Sequence, residues 1–192
     1  RFMPFFATQA LGAFNDNIFK NGLAAMLVFQ SSHLAGLNTN QVVNLSAMAF
    51  ILPFFLFSAL FGQFADKYEK SMQIRRIKLF EVVIMLAATL GFWLNNLYLL
   101  IGVLFLLGFQ STMFGPIKYG IIPQVLDRNE LVGGNALVEM GTFVAILLGS
   151  LAANVYGAWG IANEMKRGYQ VAVVASFLPI AVRLVVALEA GA

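Results

Sequence analysis

An acid and a base stand four residues apart inside an otherwise apolar stretch near the start of the chain. The segment GAFNDNIFKNG, residues 12–22, holds Asp16, Asn17 and Lys20. On a helix, Gln9, Asp16 and Lys20 share one face, with Asn17 beside it. Asp16 and Lys20 could neutralise each other as an i, i+4 pair. The alternative is a cavity-lining stripe that meets a polar substrate, which the neutral side chains of Gln9 and Asn17 favour.

A second candidate is Lys118, in the block FGPIKYGIIPQ. A lysine here could hold a phosphate as a point charge, or its side chain could simply extend to the membrane headgroups. Gly and Pro residues surround it, and we expect them to make the helix irregular, which is tolerated only beside protein or a water-filled cavity. They are Gly115, Pro116, Gly120 and Pro123.

The third candidate is Glu139, which lies two positions before a run of regularly spaced small residues. A small residue at every fourth position forms a ridge that lets another helix backbone approach closely. Glu139 points about 200° away from that ridge, so we expect it to face the cavity. The alternative is that it reaches the cytoplasmic headgroups. The ridge consists of Gly141, Ala145, Gly149, Ala153 and Gly157.

Composition decides what kind of element positions these side chains. Hydrophobic residues make up 60% of the chain and charged residues only 11%, against roughly 25% charged in a soluble domain, and the mean hydropathy is +0.81. This balance indicates a membrane protein without a nucleic-acid partner. The chain has no Cys and only His33, so a thiolate site or a zinc cluster is excluded, and we expect no metal or cofactor.

Six stretches are long and apolar enough to cross a bilayer, which takes about 20 residues. The sequence therefore predicts an all-α membrane protein with six transmembrane helices in one domain, residues 1–192. Basic residues collect in DKYEKSMQIRRIK after the second span, which predicts that this loop and both termini are cytoplasmic. The predicted spans are residues 4–30, 42–64, 74–94, 97–125, 135–159 and 169–188.

Two other charged residues within the spans are interpreted as membrane anchors rather than ligands. Glu81 lies three residues from Lys78 near a predicted inner end, and Arg183 can extend inward from the sixth span.

The loop after the second span resembles the G-x-x-x-D-R/K-x-G-R-R/K signature of the major facilitator superfamily. Glu69 stands where that signature has its second Gly, and Ser71 stands where it ends in a basic residue. The signature is known as a conformational-switch motif, and the matching residues are Gly62, Asp66, Lys67 and Lys70.

Three longer blocks narrow the resemblance. GAFNDNIFKN, FGPIKYGIIPQ and ELVGGNALVEMGTFVAILLGS together look like the bacterial lysophospholipid transporter branch of that superfamily. They are most similar to the transporter part of transporter–acyltransferase fusions.

The resemblance implies both a fold and an activity. The fold would be a twelve-helix major facilitator fold, of which this chain supplies the N-terminal bundle of six and lacks the C-terminal six-helix half. The activity would be a flippase in the bacterial inner membrane. It would move lysophosphatidylethanolamine-type lipids from the outer to the inner leaflet by alternating access, for re-acylation by a fused or neighbouring acyltransferase.

The resemblance also implies which residues serve the substrate. Asp16, Lys118 and Glu139 match the charged residues that line the headgroup path in that family. Asn17 and Lys20 join them as candidate substrate-binding residues because they lie beside Asp16 on the first span.

Two other classes of protein fit the sequence less well than a lysophospholipid transporter. A proton-coupled solute or drug transporter of the same superfamily usually carries a Gly-Pro pair on its fifth helix, and this fifth span has no Pro. An acyltransferase needs His-x-x-x-x-Asp, but the residue five positions after His33 is Asn38. The sequence therefore predicts a transporter and not an enzyme.

Overall fold

A computed structural model of the protein describes residues 2–29 and 38–162, and all regular secondary structure in these ranges is α-helical. The all-α prediction is therefore confirmed for the described residues. The first five predicted spans each lie over one helix, and the sixth span, with Arg183, lies outside the described residues, as does His33. The helices are α1 (Phe2–Phe29), α2 (Thr39–Lys67), α3 (Lys70–Trp93), α4 (Leu97–Val125) and α5 (Leu131–Ala162).

Three of these helices have the length and the apolar composition needed to cross a membrane: Asn40–Lys67, Leu97–Val125 and Leu131–Val155. Within the described residues, α1 and α3 fall short of the same criterion: polar residues around Asp16 lower the mean hydropathy of α1, and α3 carries too many charged residues, among them Lys78. A multi-pass membrane protein is thus supported, and the count of six spans stays a prediction.

Short loops join α2, α3 and α4. At these helix ends, side chains satisfy backbone groups that lack a partner within the helix. The Gln73 amide donates to the backbone oxygens of Tyr68 at 2.8 Å and Phe64 at 3.2 Å, which closes the last turn of α2. Between α3 and α4, Asn95 adopts a left-handed φ of 51°, which Asn tolerates better than most residues. Asn96 then caps α4 by accepting from the Leu99 amide at 3.1 Å.

Helix α4 occupies the centre of the bundle and contacts α1, α2, α3 and α5, while α1 packs along the length of α5. The main apolar core joins α1, α2, α3 and α4, and in it the rings of Phe19 and Phe92 meet edge to face at 5.8 Å. The fully buried members around them include Leu23, Leu27, Val42, Ile84, Met85, Leu100 and Leu107.

The ridge of small residues on α5 packs against α1. A Cβ added at Gly149 would lie 2.5 Å from the backbone oxygen of Phe14, and one at Gly141 would lie 2.6 Å from the ring of Phe6. The two helices approach this closely only because these positions lack side chains. The predicted packing role of the ridge is therefore confirmed at Gly141 and Gly149.

The expected irregularity of the fourth span is wrong, because α4 is helical without interruption through Pro116 and Pro123. A proline removes only one backbone donor, and neighbouring helices can support the freed carbonyl group in a membrane helix. Lys118 consequently projects from a regular helix, which gives it a fixed position relative to α5.

Candidate functional site

Two cavities lie one after the other along the groove between α1, α2 and α4. The first cavity has a volume of about 280 Å³ and receives side chains from all five described helices. The residues that line it are Gln9, Gly12, Ala13, Asp16, Phe54, Lys78, Glu81, Gln110, Ser111, Phe114, Gly115, Lys118, Tyr119 and Thr142.

The carboxylate of Asp16 faces the first cavity from α1. Its Oδ2 accepts a hydrogen bond from Ser111 Oγ on α4 at 3.0 Å, and the side chain is half-buried. A carboxylate within an apolar helix is costly unless it is hydrogen-bonded and faces protein or water. Asp16 therefore lies with its carboxylate at the first cavity, and its role in binding a substrate stays a prediction.

Lys118 and Glu139 form an ion pair between α4 and α5. Lys118 Nζ lies 2.9 Å from Glu139 Oε1, and the Tyr119 hydroxyl donates to the same oxygen at 2.7 Å. Lys118 also donates to Thr142 Oγ1 at 3.1 Å. Glu139 thus binds two residues that line the first cavity, and much of its carboxylate side remains open to solvent.

Hydrogen bonds through Thr142 extend this contact to α1. The Thr142 hydroxyl lies 2.9 Å from Gln9 Oε1, and Gln9 Nε2 donates to the backbone oxygen of Val138 at 2.9 Å. The side chains on the polar face of α1 therefore meet α5 directly, and one end of the groove is tied together across α1, α4 and α5.

A second ion pair, between Lys78 and Glu81 on α3, is sealed in the bundle. The two side chains are 2.9 Å apart and nearly inaccessible, and Gln110 Nε2 on α4 donates to Glu81 Oε2 at 3.0 Å. Lys78 also lies over the ring of Phe114 at 4.5 Å. The interpretation of Glu81 as a membrane anchor is wrong, since a buried helix face carries it toward α4.

A sequence signal for this buried pair exists. Lys78 and Glu81 fall on the same face of α3 as the buried Ile84, Met85 and Ala88, spaced by three, four and seven residues. Charged residues that continue an apolar stripe should be expected inside the bundle rather than at the headgroups.

The second cavity, of about 320 Å³, contains Lys20 and continues the groove one helical turn beyond Asp16. Lys20 Nζ lies 4.3 Å from the centre of the Phe50 ring. The ion pairs within the described ranges are Lys78 with Glu81 and Lys118 with Glu139, so Asp16 and Lys20 attract each other without forming a contact ion pair. The cavity is lined by Lys20, Asn21, Leu23, Ala24, Leu27, Val43, Ser46, Ala47, Phe50, Ile51 and Leu104.

Comparison with known proteins shows which curated proteins the chain is similar to. The chain is 31% identical over 185 residues to the lysophospholipid transporter LplT of Citrobacter koseri, which covers 92% of this chain and 42% of that protein. It is 29% identical over 173 residues to the same transporter of Photorhabdus laumondii, covering 88% of this chain and 40% of the relative. The chain is a homologue of bacterial lysophospholipid transporters.

A third relative is also a lysophospholipid transporter. LplT of Escherichia coli is 32% identical over 157 residues, covering 80% of this chain and 36% of the relative. No family model matches the chain. The chain spans about two fifths of the length of these lysophospholipid transporters, and their names support the prediction that it is not an enzyme.

Within this transporter homologue, Asn17 lies away from the groove. It is buried, its amide donates to the backbone oxygen of Ala13 at 2.7 Å, and it packs against Gly149 of α5. Its neighbour Asn21 donates to Ser150 of α5 at 3.1 Å. The structure thus brings Asp16 and Lys118 to one cavity, Lys20 to the next, and Asn17 to the α1–α5 interface.

The residues that resemble the facilitator signature lie at the α2–α3 loop of this transporter homologue. Asp66 and Lys67 are exposed at the end of α2, and Lys67 lies 5.7 Å from the ring of Tyr68. Lys70, in the first turn of α3, packs its side chain against Gly120 of α4. A Cβ on Gly62 would meet nothing within 4 Å, so this glycine is not packed against another described helix.

Proposed function

We propose that the chain is part of a lysophospholipid transporter of the bacterial inner membrane. Such a transporter moves lysophosphatidylethanolamine-type lipids from the outer to the inner leaflet, where an acyltransferase, fused or neighbouring, re-acylates them. The support comes from the named relatives and from a groove that holds charged side chains among apolar helices.

The observation that carries this proposal is the presence of charged side chains in cavities whose walls are otherwise mostly apolar. Asp16 brings negative charge to the first cavity and Lys20 brings positive charge to the next one, while Phe54 and Phe114 supply apolar surface. A lysophospholipid needs both, because its headgroup carries a phosphate and an ammonium and its single acyl chain is apolar. The Asp16 carboxylate, which accepts a hydrogen bond from the neutral Ser111 hydroxyl at 3.0 Å, would bind the ammonium there.

Transport by alternating access requires a second bundle that closes the open side of the groove. In this class of transporter two bundles rock against each other around a site near the middle of the membrane. We propose that a C-terminal six-helix half provides the other wall, in a twelve-helix major facilitator fold. Gly62, Asp66, Lys67 and Lys70 would form the switch between states at the cytoplasmic α2–α3 loop, with both termini of the segment cytoplasmic.

A flip assay with the complete protein in proteoliposomes tests the proposal, using fluorescently labelled lysophosphatidylethanolamine. Asp16→Asn should lower the initial rate by at least about tenfold, since the carboxylate can no longer balance the ammonium. Asp127→Asn, at an exposed acid in the α4–α5 loop, is the matched control and should leave the rate unchanged. Absence of lysophospholipid movement by the wild-type protein, or a normal rate with both Asp16→Asn and Lys118→Ala, would overturn the proposal.

A further inference from the structure

The three lysines of the two cavities have different partners. Lys78 and Lys118 each lie 2.9 Å from a carboxylate oxygen. The contact recorded for Lys20 is the face of the Phe50 ring, at 4.3 Å from its centre. Among residues 2–29 and 38–162, no carboxylate lies within ion-pair distance of Lys20, and Asp16, one turn earlier on α1, attracts its ammonium without direct contact.

A cation in this position favours an anionic ligand. Lys20 is half-buried in a cavity whose other walls are mainly apolar, including Leu23, Leu27 and Leu104. A cation–π contact stabilises an ammonium only modestly, whereas an ammonium and a phosphate form charge-assisted hydrogen bonds that are stronger in a dry site. A phosphate that enters the cavity can therefore draw Lys20 Nζ away from the Phe50 ring.

The other polar residues of the second cavity do not compete for this role. The Asn21 amide already donates to the backbone of Asn17 at 2.8 Å and to Ser150 at 3.1 Å. The Ser46 hydroxyl donates to the backbone oxygen of Val42 at 2.8 Å. Lys20 is thus the residue of this lining that can offer positive charge to a ligand.

We propose that the second cavity is a phosphate subsite in which Lys20 binds the headgroup phosphate of the transported lipid. The inference rests on the proposed function and deepens it. Asp16 lies four residues from Lys20, a rise of about 6 Å along α1. The two-carbon bridge of an ethanolamine headgroup spans a distance of the same order, so the ammonium reaches Asp16 in the first cavity while the phosphate stays on Lys20.

The same assignment gives Lys118 a different task. Its charge is already balanced by Glu139, and it also donates to Thr142, so it joins α4 to α5 instead of waiting for a phosphate. With the termini on the cytoplasmic side, the second cavity lies nearer the outer leaflet and the first nearer the inner one. A lipid that moves inward therefore meets Lys20 before it meets the Lys118–Glu139 pair.

The experiment measures the concentration dependence of lysophosphatidylethanolamine transport by the complete protein in proteoliposomes. Lys20→Met should raise KM by at least about tenfold, while Lys20→Arg, which keeps the charge, should change it by less than about threefold. Lys118→Met should lower the maximal rate with KM within about threefold of wild type. A raised KM in Lys118→Met together with a normal KM in Lys20→Met would overturn the assignment.

Soluble competitors separate the phosphate from the ammonium. Glycerophosphoethanolamine should inhibit wild-type transport, and Lys20→Met should abolish that inhibition while inhibition by ethanolamine persists. Equal inhibition of wild type and Lys20→Met by glycerophosphoethanolamine would refute the phosphate subsite. Thermal melting of each purified variant shows whether it is folded. If wild-type protein moves no lysophospholipid, it is the proposed function that fails.

Discussion

The two ion pairs of the bundle have the same length but opposite environments. Lys78 and Glu81 are 2.9 Å apart with side chains only 5% and 2% exposed, whereas Lys118 and Glu139 are 2.9 Å apart with side chains 12% and 40% exposed. The first pair lies on one helix and is completed by Gln110, and the second bridges two helices and opens to solvent. The distance between the charges therefore says little about how an ion pair affects stability. Burial decides both the desolvation cost of the pair and the cost of separating its charges.

From this difference in burial we expect the α3–α4 side of the groove to be rigid and the α4–α5 side to be able to move. At the α3–α4 side, removing one charge leaves the other buried without compensation, so the pair must stay intact while the protein works. At the α4–α5 side, either charge can return to water at little cost when the helices separate. Four substitutions test this division through the free energy of unfolding of the complete protein in detergent, from the largest expected effect to the smallest.

The strongest test removes the negative charge of the sealed pair. Glu81→Gln should lower the free energy of unfolding by about 3–5 kcal/mol, because the buried ammonium of Lys78 loses the carboxylate that lies 2.9 Å away. Thermal and denaturant unfolding followed by Trp fluorescence measures the loss. The double variant Lys78→Met/Glu81→Leu should recover most of it, and a double variant less stable than Glu81→Gln would show that the pair itself stabilises the bundle.

A substitution in the α1–α5 interface should have the next largest effect. Gly149→Ala places a Cβ 2.5 Å from the Phe14 backbone oxygen and should cost up to about 3 kcal/mol, because backbone must move to admit it. Gly133→Ala is the control, since a Cβ there meets nothing within 4 Å, and it should be neutral or stabilise the helix by up to about 1 kcal/mol. Equal midpoints for the two variants would mean that α1 and α5 are not in close backbone contact.

An intermediate effect is expected where the polar face of α1 meets α4. Ser111→Ala removes the hydroxyl that donates to Asp16 at 3.0 Å and should cost about 1.5 kcal/mol, since both side chains are only half-buried. Ser111→Thr keeps the hydroxyl and should retain most of the stability. If the alanine variant melts like wild type, water or another group replaces Ser111 at Asp16.

The smallest effect should come from the open pair. Glu139→Gln should change the free energy of unfolding by less than about 1 kcal/mol, because the carboxylate is well exposed and Lys118 keeps its contact with Thr142. Tyr119→Phe, which removes the other donor to Glu139, should behave alike. A loss as large as that of Glu81→Gln would erase the distinction between the two sides of the groove.

The sequence determined the class of the protein and the existence of its helices. Long apolar stretches with few charges favour membrane helices, because a helix satisfies the hydrogen bonds of its own backbone groups where no water is present. The small residues at every fourth position of α5 likewise predicted a close contact with another helix, which is confirmed at Gly141 and Gly149. The face of α1 that carries Asp16 follows from helical geometry, so its position in a polar cavity could be foreseen.

The tertiary structure alone decided which charges meet. Lys118 pairs with Glu139 because α4 and α5 cross at that point, Glu81 is buried because α4 covers α3, and Lys20 turns to Phe50 of α2 instead of Asp16 on its own helix. None of these partners is close in sequence, and a local pattern fixes only the face on which a residue lies. Which helix covers that face depends on packing over the whole bundle. Packing therefore pairs Lys118 with Glu139 between α4 and α5 and leaves Lys20 at a cavity that can accept a ligand.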